Sequence, residues 1–236
     1  MSDKIIADSE ATARDLVRYY KVHESKIEVV LNAASEDYRP LPVSVVNAVR
    51  TRYDLLNPFI LFIGTIEPRK NIPLLLRAYS LVLAQIPDLE LVIVGKRGWN
   101  YSEVYDTLNT LGIEKKVRFP GYVPDEDLPA LYNAASVFVY PSLYEGFGLP
   151  PLEAMQCGIP VITSNTSSLP EVVGSEGLMV DPRDHEHLAR LIYQLLTDEN
   201  FREKNCEYNL NRAKDFSWEK TARKTLEVYR QVGNLE

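Results

Sequence analysis

The chain has 236 residues, 45% hydrophobic and 25% charged, enough to bury a full core as one large domain or two small ones. Its net charge of -7, with no dense basic run, disfavours nucleic acid and anionic lipid as partners. The two cysteines, Cys157 and Cys206, lack metal-ligand spacing and fit free thiols in a reducing compartment. No apolar run approaches the roughly 20 residues of a membrane helix. The opening MSDKIIADSE lacks the apolar core of a signal peptide, so cytoplasm is the expected location.

In chain order, KIIA (4–7) reads as a strand, followed by a helix capped at Ser9 and a second strand, IEVVL (27–31). A proline-containing loop near 33–42 then reads as a linker. Beyond it come strands at 59–64, 89–95, 117–121, 137–142, 160–164 and 177–180. They are continuous runs rich in Val, Ile and Phe, the pattern of strands buried on both faces of a parallel sheet. Helices are expected at 71–86, 102–111 and 125–135, the last capped by Asp125, and residues 184–231 read as nearly all helical. There Leu188, Leu191, Ile192, Leu195 and Leu196 form one apolar stripe behind an Asp184 cap, and Ser217 opens a final helix. Strand and helix alternating this way predict an α/β, Rossmann-like, doubly wound parallel sheet with C-terminal helices.

Ligands of such sheets bind at the carboxyl ends of the strands. After FILFIG comes TIEPRKN, where Gly64 allows close approach and Arg69 and Lys70 precede a helix start. Two cations there suit a diphosphate, and equally a charged surface loop. Lys96 and Arg97 after the next strand read as a solvated loop. The acids of YVPDEDL read as a helix start rather than a metal motif. His23, His185 and His187 read as exposed, and no metal site is expected.

The stretch LYEGFGLPPLE (143–153) is the richest. Pro150 and Pro151 are tolerated in a first helical turn, which places a helix start near Leu149 or Pro150 and Glu153 in its first turn. Gly146, Phe147 and Gly148 then present free amides in front of a helix dipole. Glu145 and Glu153 flank that anion site, and a carboxylate accepts two hydroxyl hydrogens of a diol. The same spacing also fits a Glu145 that caps a turn and a Glu153 that complements the dipole.

Together, GTIEPRKN, VRFPGYVPDEDLPALYNAA, YPSLYEGFGLPPLEAMQCGIPVITSNTSSLPEVVG and FSWEK resemble the retaining glycosyltransferases of family 4, glycosyl transferase group 1, over nearly the whole chain. The resemblance implies the C-terminal, donor-binding half of a GT-B fold. It implies transfer of a hexose such as mannose or glucose from a GDP- or UDP-linked donor to an acceptor hydroxyl in glycan or polysaccharide biosynthesis, without metal or other cofactor. Gly64 would lie beneath the donor phosphates, and Arg69 and Lys70 would hold the diphosphate. Glu145, with the amides of Gly146, Phe147 and Gly148, would hold the sugar. Leu149 would lend its amide to a phosphate, Glu153 would grip the ribose, and Tyr122 and Val123 would border the base.

The family's N-terminal acceptor domain is matched only at its end. Residues 1–42 read as the remnant of that domain plus linker, and 43–236 as the nucleotide-sugar domain. The family's N-terminal glycine loop and histidine have no counterpart. A catalytically incomplete nucleotide-sugar-binding or interaction module is therefore the alternative. An exposed apolar patch on the N-terminal segment and last helix is expected, to be covered by a separate acceptor domain or by self-association. Peripheral membrane contact stays open for a full enzyme.

Overall fold

A computed structural model describes residues 2–233. It opens with β1 (Ile5–Ala7), α1 (Glu10–Tyr20) and β2 (Ile27–Val29), the two strands paired in parallel. Ser9 caps α1 as expected, its Oγ accepting the Thr12 amide at 3.0 Å. The stretch 33–42 contains no regular element but is packed down: Ala33 and Ala34 are buried, and Asn133 holds the Leu41 amide and the Arg39 carbonyl at 2.9 Å each. A helix absent from the sequence reading follows, α2 (Val43–Arg52).

The main sheet comprises β3 (Phe59–Ile63), β4 (Glu90–Val94), β5 (Val117–Gly121), β6 (Val137–Tyr140), β7 (Val161–Ser164) and β8 (Leu178–Val180). All neighbours are parallel in the order β5-β4-β3-β6-β7-β8. β3, β4 and β6 are almost wholly buried, which accounts for their unbroken apolar sequences. Connecting helices are α3 (Ile72–Leu83), α4 (Ser102–Leu111), α5 (Leu128–Ala134), α6 (Leu149–Gln156) and α7 (Leu169–Val173). α8 (His185–Thr197), α9 (Glu199–Ala213) and α10 (Trp218–Gly233) complete the chain. Asp184 and Ser217 act as caps, accepting the amides of His187 at 2.8 Å and Lys220 at 3.2 Å.

The Asp125 cap is corrected. α5 begins at Leu128 behind Asp127, and neither acid caps it: Asp127 is pulled toward α2, taking the Tyr53 hydroxyl at 2.7 Å and pairing with Arg52.

Chain direction reverses its march across the sheet between β3 and β6. From β3 the chain adds β4 and β5 on one side, then returns to add β6, β7 and β8 on the other. Such a switch point opens a crevice at the carboxyl ends of the two strands. The N-terminal segment docks over it. Glu171 accepts the amides of Glu10 and Ala11 at 2.8 Å each, at the positive end of the α1 dipole. Ser9 Oγ and Thr12 Oγ1 donate to the Gly146 carbonyl at 2.5 and 3.2 Å, and Tyr144 donates to Asp15 at 2.5 Å. From the far end of the chain, Thr221 donates to the Leu31 carbonyl at 2.7 Å.

Candidate functional site

The β3 loop leaves the sheet at Gly64 and is held against β4. A Cβ at Gly95 would sit 2.0 Å from the Gly64 carbonyl oxygen, so only glycine allows this approach. Pro68–Lys70 makes one 3-10 turn, and Asn71, at φ 54°, redirects the chain into α3. The Asn71 amide group pins the turn to the carbonyls of Pro141 and Pro182, at 3.1 and 2.8 Å. Arg69 and Lys70 thereby face the segment after β6.

Glu145 joins them. Its two oxygens pair with Arg69 at 2.6 Å and Lys70 at 2.7 Å. Arg69 also pairs with Glu67 at 2.7 Å and donates to the Tyr144 carbonyl at 2.8 Å. Lys70 is buried, donates to the Tyr140 hydroxyl and lies 4.8 Å from that ring's centroid. Burial holds its pKa below the ordinary lysine range despite Glu145.

The glycine loop comes next. Ser168 Oγ donates to the carbonyls of Glu145 and Phe147 at 3.0 and 2.7 Å, while Ser9 and Thr12 occupy that of Gly146. The carbonyls are thus engaged. Among the described residues, the amides of Gly146, Phe147, Gly148 and Leu149 have no protein acceptor. Gly148 sits at φ 117°, and a Cβ there would lie 3.0 Å from Leu169, so this bend requires glycine.

These groups line one cavity of about 450 Å³. It collects Gly64, Arg69, Lys70, Glu145, Gly146, Phe147, Gly148 and Leu149, and adds Asp8, Asn32, Thr65 and Tyr140, which the sequence reading did not single out. Asp8 and Asn32 follow β1 and β2 as the others follow their strands, and that was the available signal. A larger cavity, about 550 Å³, is lined by residues of α1, β2 and the turn between them. It mixes Glu10, Glu24 and Glu28 with Arg14 and Arg18 and has no convergent amides, so chemistry favours the smaller one.

Three expected residues lie elsewhere. Tyr122 is 80% exposed and Val123 is buried, both after β5, and neither lines the cavity. Glu153 is the fifth residue of α6, not in its first turn, because the helix already begins at Leu149. It accepts the Tyr132 hydroxyl at 2.7 Å, outside the cavity. Burial raises its pKa, against the hydrogen bonds from Tyr132 and Tyr38.

The family described as glycosyl transferases group 1 matches residues 51–212. The chain belongs to that family. It is 42% identical to the O-antigen chain mannosyltransferase B of Escherichia coli over 96% of this chain and 60% of that protein. It is 34% identical to the Escherichia coli serotype-specific mannosyltransferase WbdA over 98% of this chain and 29% of that protein. The chain therefore spans less than two thirds of the length of these relatives. The structure of Anabaena HepE in complex with UDP and glucose superposes with a TM-score of 0.87 at 21% identity, covering all of this chain and 64% of that one. The shared fold is the Rossmann-like half of a GT-B glycosyltransferase. No helix among the described residues is long and apolar enough to cross a membrane.

Proposed function

We propose that this chain is the donor-binding part of a cytoplasmic, retaining, metal-independent hexosyltransferase of polysaccharide biosynthesis, using a GDP- or UDP-linked hexose. The observation that carries this reading is Glu145 bridging Arg69 and Lys70 beside four unengaged amides. The diphosphate takes the two cations and the amides of residues 146–149, and Glu145, released from its ion pairs, accepts sugar hydroxyls. In transfer, the bond from the sugar's C1 to the diphosphate oxygen breaks and C1 bonds to the acceptor oxygen on the same face. The acceptor's proton ends on the released nucleoside diphosphate. Negative charge grows on that leaving group, where fixed cations and amides stabilise it, by about 3 kcal/mol for one such donor. The mannosyltransferase relatives favour mannose. Glu153, beside Tyr38 and Tyr132, is assigned to the ribose, and the backbone at Tyr122 and Val123 to the base.

Calorimetric titration with GDP-, UDP-, ADP- and dTDP-hexoses tests this reading. Saturable binding of one nucleotide class is expected, and no binding of any would reject it.

A second reading, a module that binds donor but needs a separate acceptor domain, has its own support. Tyr19 and Tyr20 on α1 and Leu226 and Tyr229 on α10 are large, exposed apolar side chains, and the 550 Å³ groove adjoins α1. In this reading residues 1–42 are the end of the acceptor domain, and the surface takes that domain or a second copy. Multiple-turnover transfer by this chain alone would reject it, and a clean monomer in light scattering at high concentration would weaken the self-association.

A further inference from the structure

The donor reading leaves one wall of the cavity without a task. Asp8 lies immediately beyond β1 and lines the same cavity as Arg69 and Lys70. Its Oδ1 is buried without a hydrogen-bond partner among the described residues. Its Oδ2 lies 3.3 Å from the point that a Cβ at Gly146 would occupy. The neighbouring fold makes no use of this carboxylate. Ser9, not Asp8, caps α1 and fastens the Gly146 carbonyl, and no ion pair among the described residues includes Asp8. Those same bonds from Ser9 and Thr12 nonetheless keep Asp8 beside the glycine loop.

An ionised carboxylate accepts hydrogen bonds and donates none. Facing a site built for a diphosphate, it repels the phosphates, so its matching partner is a neutral donor group. The only such groups on a nucleoside diphospho-hexose near Gly146 and Glu145 are the hydroxyls of the hexose. We propose that Asp8 is a specificity-determining residue that accepts a hydrogen bond from a hydroxyl of the donor hexose. The inference rests on the donor reading of the cavity. It adds that the N-terminal segment, not the main sheet alone, reads the sugar.

The test separates sugar from nucleotide. Wild type, Asp8→Ala and Asp8→Asn are titrated calorimetrically with GDP-mannose and GDP, and with UDP-glucose and UDP, with thermal unfolding of each variant as a control. Asp8→Ala is expected to weaken nucleotide-sugar binding by about tenfold or more, the worth of a hydrogen bond to a charged group. The bare nucleoside diphosphate should bind as well or better, because a repelling charge is gone. Asp8→Asn keeps an acceptor oxygen and should recover part of the sugar affinity. An unchanged difference between nucleotide sugar and nucleotide in Asp8→Ala overturns the inference, as does an equal fall in both, which would mark a structural role. Wild type binding none of the four ligands would overturn the donor reading and this inference with it.

Discussion

Lys70 and Glu145, 75 residues apart, meet at 2.7 Å with their side chains 8% and 10% exposed. A lysine buried this far is held below its ordinary pKa by desolvation, and Glu145 is what keeps its charge tolerable. Glu145→Ala should therefore destabilise the fold by about 3 kcal/mol in urea denaturation, because it strands a buried ammonium. Lys70→Met should cost less, since Arg69 still pairs with Glu145. Equal losses would mean the pair is not the stabilising unit.

Glu153 sets a pH dependence. Burial raises its folded pKa, so the native state holds this proton more tightly than the unfolded chain. Its contribution to stability is full below the ordinary glutamate value of about 4.3 and is lost as pH rises through the raised value. Glu153→Gln removes that loss. Denaturation free energies from pH 4 to 8 should show the variant gaining on wild type as pH rises, and a pH-independent difference would show that burial does not raise the Glu153 pKa.

Docking of the N-terminal segment rests on Glu171, which receives the amides of Glu10 and Ala11 and lies 3.6 Å from Arg14. Glu171→Ala should cost about 1–2 kcal/mol. Hydrogen exchange should accelerate at the Glu10 and Ala11 amides while β3 and β4 stay protected.

Gly95 holds the loop at Gly64 close to β4. With 2.0 Å available to a methyl group and φ at 145°, Gly95→Ala must displace the loop. A loss of about 3 kcal/mol or more is expected in chemical denaturation, where an exposed glycine-to-alanine change would be nearly neutral.

The parallel sheet was legible because its strands are buried on both faces and so read as short continuous apolar runs rich in Val, Ile and Phe, such as FILFI. Arg69, Lys70 and Glu145 were legible because strand ends collect ligands in this topology. α2 was not: Val43, Val45, Val46 and Val49 give VSVVNAVRTR a β-branched sequence of modest helix propensity. It folds as helix through tertiary bonds from its far end, Arg50 to the Ala134 carbonyl at 3.2 Å and Tyr53 to Asp127. Those bonds are also what drew Asp127 away from capping. Asp8 was only partly legible. Its place directly after β1 marked it as a strand-end residue, but nothing local tells which distant loop the fold sets beside it.

The most direct test of the donor site is a map of amide chemical shifts in this chain as GDP and UDP are titrated in. The expected result is that Gly146, Phe147, Gly148 and Leu149 shift together with Gly64 and Lys70 for one of the two nucleotides. Shifts confined to the α1 groove, around Ala13, Val17 and Val29, would place the ligand elsewhere and contradict the assignment.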